Sequence, residues 1–404
     1  MRVIIIGSGL AGIISGKTIR ELDRAAEVLI YGEEKYPYYP RPNLIDFLGG
    51  LIPQDKVFAF AEGWQERQRL EINLGQRIVK MNPEKPSVEI EGGKEIDGDY
   101  LILAAGAKPV VPPFAGLNKK GIFTLRTLDN ALELLDFIQS GPEILVIGGG
   151  LLGLEIARAL SMRGLSGVSI VEVFNRLLPR QLDEIGAKEL QTKLEKMGIR
   201  FFLGKEVSQI IGNGSVNRVL FKDGQGVSAG AVIIASGVKP RTDLALTSGL
   251  KTSRGVLVDD YLRTSQSRVY AAGDVTEHRG KVYGLIPAAF DQARTLAYNL
   301  CGQNKKYEGT IPSNTLKVAG IYLTAIGMVT AEGNEYEIIT KHIPESGIYK
   351  KLILKNEVVV GAIWLGTKQG VQEISRLIQS GKKVTRYKDE ILEESFDFSR
   401  IFQE

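Results

Sequence analysis

The sequence of 404 residues predicts an α/β protein with two Rossmann-like dinucleotide-binding domains and a small C-terminal α+β domain. The prediction rests on two glycine-rich fingerprints, GSGLAG at residues 7–12 and GGGLLG at residues 148–153. Each follows an apolar run typical of a buried strand and opens an amphipathic segment typical of a helix. Glycines suit such turns because the backbone must approach a pyrophosphate that rests on the helix N-terminus. The strands are expected at 3–6 and 144–147, and the helices at 10–22 and 151–163.

Composition limits the other possibilities. Hydrophobic residues make up 44% and charged residues 24%, and no apolar run approaches the roughly 18 residues of a membrane span. The net charge of +4 is too small to indicate nucleic-acid binding, but it suits a small acidic protein partner. The single cysteine, Cys301, excludes a disulfide framework and a four-thiolate cluster, and with two histidines no metal site is expected. We therefore expect a cytoplasmic protein that passes electrons between two dinucleotides.

Acidic residues follow the second strand of each predicted domain. An acid at this place can accept hydrogen bonds from an adenosine ribose. In the first domain Gly32 takes the usual place, so Glu33 is favoured over Glu34, with a solvated turn as the alternative. In the second domain Glu172 directly follows the strand, which favours NADH because a carboxylate repels a 2′-phosphate. Nearby Arg176 keeps NADPH open, and an ordinary exposed glutamate is the alternative.

Other segments carry weaker signals. The loop at 36–42 is rich in tyrosine and proline. Its tyrosines could line the binding site of a flat ring, and its Arg41 could bind a phosphate. The alternative is a surface loop that its prolines make rigid. The strand-like runs 101–107 and 232–236 end in small residues that permit close approach to a ligand. Asp274, after a further strand, suits a sugar-like chain, and the alternative is an Asx-turn or a helix N-cap before Thr276.

The chain changes character from about residue 311. Strand-like runs at 321–326, 338–342, 351–354 and 358–365 precede an amphipathic helix that Gly381 ends. The charged run 388–394 is expected to be solvated. Basic residues of this region suggest an exposed positive surface, with ordinary solvated lysines as the alternative. They are Lys350, Lys351, Lys355, Lys368, Lys382 and Lys383.

Five segments in order, over essentially the whole chain, resemble the FAD-dependent pyridine nucleotide-disulfide oxidoreductases. They are GSGLAG, LILAAGAKP, GGGLLGLE, ASGVKP and VYAAGDV. The phrases PYYPRP, LLPRQLD (177–183) and SNTLKVAGI (313–321) further resemble NAD(P)H:rubredoxin oxidoreductases and the N-terminal FAD/NAD part of NADH-dependent nitrite reductases. The resemblance implies a glutathione-reductase-like fold. Its domains would be a discontinuous FAD domain (1–113 and 238–311), an inserted NAD domain (114–237) and a C-terminal domain (312–404).

The resemblance also implies which residues contact the cofactors FAD and NADH. Asp274 would bind the ribityl chain of FAD, and Glu155 would lie near the nicotinamide as the candidate catalytic residue. The FAD residues would be Gly7, Gly9, Leu10, Ala11, Gly12, Glu33, Glu34, Arg41, Pro42, Ala105, Gly106, Arg126, Gly273 and Asp274. The remaining cofactor-binding residues, mainly for NADH, would be Gly148, Gly150, Leu152, Gly153, Glu155, Glu172 and Gly237.

Departures from the family narrow the function. Disulfide-reducing members of the family carry a CxxxxC pair soon after the first helix, and NADH oxidases carry a single cysteine nearby. This sequence has neither, so a thiol relay is not expected and the flavin must hand over electrons itself. Asp46 and Ile286 stand where oxygenase-type ferredoxin reductases often have lysine and tryptophan. Both differences argue against an oxygenase ferredoxin as the acceptor. We therefore expect an NADH:acceptor oxidoreductase, monomeric or dimeric, that reduces a small iron–sulfur carrier, rubredoxin above all. The alternatives are an NADH oxidase, a nitrite-reductase-type or ferredoxin reductase component, and a non-catalytic FAD/NADH-binding redox sensor.

Overall fold

The computed structural model describes residues 1–318 and 321–403. The phrase SNTLKVAGI therefore lies partly outside the described residues. The chain divides into two compact units. Unit 1 comprises Met1–Phe47, Ile52–Pro109 and Val238–Thr310. Unit 2 comprises Leu48–Leu51, Val110–Gly237 and Ile311–Glu404.

The elements of the described residues are numbered in chain order. The α-helices are α1 (Leu10–Leu22), α2 (Asn43–Leu48), α3 (Trp64–Gln68), α4 (Leu128–Phe137), α5 (Leu151–Met162), α6 (Glu184–Glu195), α7 (Asp243–Thr247), α8 (Ile286–Leu300), α9 (Val371–Ser380) and α10 (Ser399–Gln403). The first strands are β1 (Arg2–Ile6), β2 (Glu27–Gly32), β3 (Glu71–Leu74), β4 (Ile78–Asn82), β5 (Ser87–Ile90), β6 (Glu95–Asp97), β7 (Tyr100–Leu103), β8 (Ala107–Pro109), β9 (Ile122–Thr124), β10 (Ile144–Ile147), β11 (Val168–Glu172) and β12 (Arg200–Leu203). The others are β13 (Val207–Ile211), β14 (Arg218–Phe221), β15 (Gly226–Ser228), β16 (Ala231–Ile234), β17 (Val238–Pro240), β18 (Val256–Val258), β19 (Val269–Ala271), β20 (Thr276–His278), β21 (Ser313–Val318), β22 (Ile321–Gly327), β23 (Tyr336–Ile343), β24 (Ile348–Lys355) and β25 (Val358–Leu365).

Unit 1 is built on a parallel sheet in the order β19-β7-β1-β2-β3. After Arg2, strand β1 is apolar from Val3 to Ile6 because a central parallel strand is covered on both faces, and Ile4 and Ile5 are fully buried. Helices α1 and α8 pack together on one face. The carboxyl ends of β1, β2, β7 and β19 therefore lie along one edge of the sheet, where the first fingerprint also lies.

Unit 2 repeats this arrangement with a parallel sheet in the order β12-β11-β10-β16-β9. The registers correspond: Ile6 lies opposite Tyr31 in unit 1, as Ile147 lies opposite Val171 in unit 2. The predicted fold class is confirmed. Helix α1 has its predicted bounds, and α5 ends one residue before its predicted end.

The C-terminal part of unit 2 is an antiparallel sheet in the order β21-β22-β25-β24-β23, with α9 packed on it. Helix α9 ends at Gly381 (φ +64°), as the sequence predicts. The expectation that residues 388–394 are solvated is wrong for its apolar members, because Ile391 and Leu392 are buried against the sheet. The charged neighbours Lys388 and Glu393 instead pair with side chains of β23.

No helix among the described residues has both the length and the apolar character of a membrane span.

Candidate functional site

The first fingerprint forms a turn in which two glycines are sterically required. Gly7 has φ +119°, and a Cβ there would lie 2.2 Å from the carbonyl oxygen of Ala104. A Cβ on Gly12 would lie 1.9 Å from the carbonyl oxygen of Gly7, so α1 can pack on β1 only with glycine here. A Cβ on Gly9, by contrast, would meet nothing within 4 Å among the described residues. The turn thus leaves open space directly before the first residues of α1, Leu10 and Ala11.

The second fingerprint has the same geometry. Gly148 has φ +115°, and a Cβ on Gly153 would lie 1.9 Å from the carbonyl oxygen of Gly148. A Cβ on Gly150 again meets no atom of the described chain within 4 Å. Both α1 and α5 have glycine N-caps, and no acidic residue lies in the first turn of either helix. Each helix N-terminus is therefore a cradle for an anion, and the two cradles fit the pyrophosphates of two dinucleotides.

Glu172 fixes the second fingerprint turn. Its Oε2 accepts a hydrogen bond from the N–H of Gly149 at 2.7 Å, and its Oε1 accepts one from the N–H of Phe174 at 3.0 Å. The side chain is buried, which excludes the alternative of an ordinary exposed glutamate. Each carboxylate oxygen can accept a second hydrogen bond, which keeps Glu172 available to a ribose.

Unit 1 has glycine at the corresponding strand end. Gly32 follows Tyr31 as Glu172 follows Val171. A Cβ on Gly32 would lie 2.2 Å from Oγ and 2.8 Å from Cβ of Ser8. Ser8 is the counterpart of Gly149, and its hydroxymethyl group fills the space that the glutamate side chain occupies in unit 2. Ser8 therefore excludes a glutamate at the end of β2 itself, which leaves Glu33 and Glu34 as the candidate acids of unit 1.

The two acids after β2 have different partners. Glu33 is half exposed and accepts a hydrogen bond from Arg241. Glu34 accepts hydrogen bonds from Tyr39 and from Arg41, whose Nη2 lies 2.5 Å from its Oε1. Burial disfavours the charge of Arg41, but the hydrogen bond and charge of Glu34 outweigh it and raise the pKa of Arg41. Glu34 thus holds the loop together, and Arg41 contacts this carboxylate.

The tyrosine-rich loop packs on aromatic side chains of the segment before α3. Tyr38 lies 5.7 Å from Phe60, ring centre to ring centre, and Phe60 stacks on Trp64 at 3.8 Å. Pro40 and Pro42 lie at the turn that leads into α2. The N–H of Ile45 in this helix donates to the carbonyl of Pro42 at 3.0 Å. The loop therefore packs against the core of unit 1 through Tyr38 and its aromatic neighbours.

Gln292 is a residue that the sequence did not reveal. Its Oε1 accepts hydrogen bonds from the N–H of Gly273 at 2.8 Å and from Oγ1 of Thr276 at 3.0 Å. The amide lies on α8 and is buried. It fixes the turn that carries Asp274, and this turn leads into strand β20, so the helix N-cap alternative for Asp274 is wrong. Only the fold could reveal this partner, because it is 19 residues away in the chain.

The remaining candidates are distributed over both units. Ala105 and Gly106 follow β7 in unit 1, and Gly106 has φ +70°. In unit 2, Leu152 and Glu155 lie on the first turns of α5. The other two unit 2 candidates are Arg126, just before α4, and Gly237, with φ +103°.

Two lysines expected on an exposed positive surface are buried. Lys350 and Lys351 are adjacent on β24, so their side chains point to opposite faces of the sheet. The Nζ of Lys350 donates to the carbonyl of Leu392 at 3.0 Å, and that of Lys351 donates to Asp183 at 2.8 Å. Only 2% and 6% of their surfaces are exposed, so the expectation is wrong for this pair. Lys355 and Lys383 are more exposed but pair with glutamates.

Cys301 ends α8 and packs partly buried against the core of unit 1. Burial raises the pKa of its thiol, so the reactive thiolate is disfavoured.

Comparison with known proteins places the chain in a family. Residues 1–293 match the pyridine nucleotide-disulphide oxidoreductase family, and residues 312–382 match the rubredoxin NAD+ reductase C-terminal domain. The chain belongs to the pyridine nucleotide-disulphide oxidoreductase family. The cofactors of that family, FAD and NADH, are those that the sequence predicts, and the two cradles fit them.

Particular relatives include both free-standing and larger proteins. The chain is 30% identical to the NADH-rubredoxin oxidoreductase of Clostridium acetobutylicum, over 91% of this chain and 93% of that protein. It is 32% identical to the assimilatory nitrate reductase electron transfer subunit of Bacillus subtilis, over 97% of this chain but only 51% of that protein. The chain thus spans about half the length of that relative. The crystal structure of the Clostridium acetobutylicum oxidoreductase superposes with a TM-score of 0.78 at 27% identity, over 95% of this chain and 96% of that chain.

The steric relation between Gly32 and Ser8 can be tested directly. Gly32→Ala is expected to weaken FAD binding about tenfold, because overpacking by one methyl group costs roughly 1–3 kcal/mol. Ser8→Gly removes the obstructing group, so the double variant Ser8→Gly/Gly32→Ala should recover most of the affinity. The FAD dissociation constant is measured by flavin fluorescence, with Ser8→Gly alone as the control. A double variant no better than Gly32→Ala would contradict the relation.

Glu172 should determine the choice of nicotinamide cofactor. Wild-type protein is expected to have the larger kcat/KM with NADH, and Glu172→Ala should reduce this preference roughly ten- to hundredfold. The preference is measured as the ratio of kcat/KM for NADH to that for NADPH in steady-state kinetics. The matched control is Glu206→Ala, because Glu206 is an exposed glutamate of unit 2 that pairs with Lys222. A wild-type preference for NADPH would instead point to Arg176, whose buried Nε finds no hydrogen-bond partner in the described part of the chain.

Proposed function

We propose that this protein is an FAD-dependent NADH:acceptor oxidoreductase whose acceptor is a small iron–sulfur carrier, rubredoxin. The observation that carries the proposal is the pair of equivalent cradles with different strand ends, Ser8–Gly32 in one and Gly149–Glu172 in the other. The first suits FAD by the resemblance, and the second suits NADH. The match to the rubredoxin NAD+ reductase C-terminal domain and the likeness to an NADH-rubredoxin oxidoreductase over most of both chains support the acceptor.

The protein's own residues bind and orient the cofactors. When bound, FAD would supply the redox chemistry that links a two-electron donor, NADH, to a one-electron carrier. The N-termini of α1 and α5 would hold the two pyrophosphates, and Glu172 a ribose. Gln292 would fix the turn of Gly273 so that Asp274 reaches the ribityl chain, and Glu155 would lie beside the nicotinamide. This chemistry requires no side chain to act as a nucleophile.

The position of the single thiol supports a carrier over a disulfide as the acceptor. Cys301 lies at the end of α8, and burial raises its pKa. Disulfide-reducing members of the family carry their reactive cysteines soon after the first helix, and this sequence has no cysteine near α1. A cytoplasmic location, predicted from the single cysteine, forms part of the same proposal.

Helix α8 offers a surface for such a carrier. Ile286 and Phe290 lie four residues apart and are 54% and 37% exposed. The guanidinium of Arg294, one turn further on, lies 5.7 Å from the ring centre of Phe290, and the ammonium of Lys305 lies 4.6 Å from that of Tyr298. Exposed apolar groups beside cations suit a small acidic partner, since contact is apolar and approach is electrostatically steered. We propose this surface in place of Lys350 and Lys351.

A second candidate is the electron-entry part of a nitrate or nitrite reductase system. It is favoured by the likeness to the Bacillus subtilis electron transfer subunit, of which this chain spans about half. The two candidates share the reduction of FAD by NADH and differ only in the acceptor. Steady-state turnover with each acceptor separates them, and no turnover with any acceptor would favour the redox sensor.

The α8 surface generates a prediction about the carrier. Turnover with rubredoxin should exceed turnover with oxygen at matched low concentration and should fall as ionic strength rises. Phe290→Ala and Arg294→Glu should each raise KM for rubredoxin by about tenfold, which corresponds to ~1.4 kcal/mol. Reduction of the flavin by NADH, followed by stopped-flow absorbance, should not change. Lys383→Glu is the matched charge reversal elsewhere, and equal effects from Lys383→Glu and Arg294→Glu would argue against the α8 surface.

The partly buried thiol of Cys301 generates a further prediction. Cys301→Ser should leave flavin reduction and carrier turnover near their wild-type rates, because the thiol takes no part in the transfer. Both rates and the midpoint of thermal unfolding are measured for Cys301→Ser and for the wild type. A variant that folds with wild-type stability and full FAD content but has lost turnover would mean that the redox route includes the thiol.

A further inference from the structure

The loop between Glu172 and α6, residues 173–183, packs directly against the second fingerprint. The N–H of Leu178 donates to the carbonyl of Gly149 at 3.2 Å. A methyl carbon of Leu177 lies 3.0 Å from where a Cβ on Gly149 would stand. Leu178 has φ +48°, a conformation that a leucine rarely adopts and that the surroundings must enforce. The backbone at 177–178 therefore sets the position of the turn that would hold the NADH pyrophosphate.

The far end of this loop is tied to the C-terminal sheet through Asp183. Its Oδ1 accepts the N–H of Gly186 at 3.1 Å and so caps α6. Its Oδ2 accepts the hydroxyl of Tyr349 at 2.6 Å and the ammonium of Lys351 at 2.8 Å. Both partners lie on β24 and are more than nine-tenths buried. A single carboxylate thus connects the end of the loop and the start of α6 to β24, which is 168 residues away in the chain.

The connection between the two ends is short and rigid. The N–H groups of Gln181 and Leu182 both donate to the carbonyl of Leu178 at 2.9 Å. Leu177, Leu178 and Leu182 have no exposed surface. A close-packed turn of this kind transmits a displacement instead of absorbing it. Any shift of Asp183 should therefore move Leu178 and, with it, Gly149.

The charge on Asp183 makes the attachment sensitive to its partners. Burial raises the pKa of this carboxyl, but hydrogen bonds from Lys351, Tyr349 and Gly186 outweigh burial and lower it below its usual value. Removing one partner of such a buried pair leaves the other charge uncompensated, which costs more than the pair contributes. The loop should therefore lose its fixed position when either charge is removed.

We propose that Asp183 is a positioning residue for NADH, through which Tyr349 and Lys351 of the C-terminal sheet set the affinity of the second fingerprint. The inference rests on the proposed function in assigning NADH to that fingerprint. It gives the C-terminal domain a role in NADH binding, although its own residues Tyr349 and Lys351 act only through Asp183.

The test uses Asp183→Asn and Lys351→Met in the full-length, FAD-loaded protein. Asparagine is as good an N-cap as aspartate, so the cap of α6 is kept while the ion pair is lost. Each variant should raise the dissociation constant of NAD+, measured by calorimetry, and KM for NADH by about tenfold, since small misplacements in a binding site have effects of this order. FAD content and KM for the acceptor should stay unchanged. The double variant should be no weaker than either single one, because the pair acts as a unit.

The control is Glu189→Gln on the same helix. Glu189 pairs with His342 of the C-terminal sheet at 2.9 Å and is not a partner of Asp183, so the NAD+ affinity of Glu189→Gln should match the wild type. If Asp183→Asn lowers the thermal midpoint and leaves the NAD+ dissociation constant unchanged, Asp183 is only structural and the inference is overturned. Tyr349→Phe, which keeps both charges, gives a milder variant if either charge variant fails to fold. A wild type that binds no NAD+ would overturn the proposed function as well, and only in that case would both fail together.

Discussion

The close contact between helix and strand at each glycine turn is the constraint on which the rest of this structure depends. At Gly12 and at Gly153 a Cβ would stand 1.9 Å from a carbonyl oxygen of the preceding turn. With glycine there, the helix packs directly on the first strand, and its N-terminal N–H groups face open space at the sheet edge. The same contact thus joins helix to sheet and leaves a positive helix end for a pyrophosphate. Both units are built around one such contact.

Much of the fold could be predicted from the sequence because its signals are local. The bounds of α1 follow from a glycine turn at one end and apolar periodicity along the helix, and strands β1 and β10 follow from short apolar runs. The burial of Lys350 and Lys351 could not be predicted in this way. A lysine in a strand reads as solvated unless its partner is known, and the partner of Lys351, Asp183, lies 168 residues away in the chain.

The candidate site likewise has residues that local signals indicate and residues that only the fold reveals. Glu172 could be named as a candidate from the sequence, because its offset from the fingerprint is a property of the chain alone. The reason that Glu33 follows a glycine appears only when the two sheets are compared in register, since it depends on the side chain of Ser8. The role of Gln292 likewise depends on where α8 packs. The fingerprint turns could be located from the sequence, whereas the side chains that hold them in place depend on tertiary structure.

The C-terminal segment has a consequence for how this domain should be delimited. The family match ends at residue 382, yet Tyr387, Ile391 and Phe396 beyond it complete the hydrophobic cluster on the sheet that includes Trp364. The folding unit is therefore longer than the segment that this family match covers. A protease that cleaved between them would remove one wall of a core, and the exposed sheet face would favour aggregation.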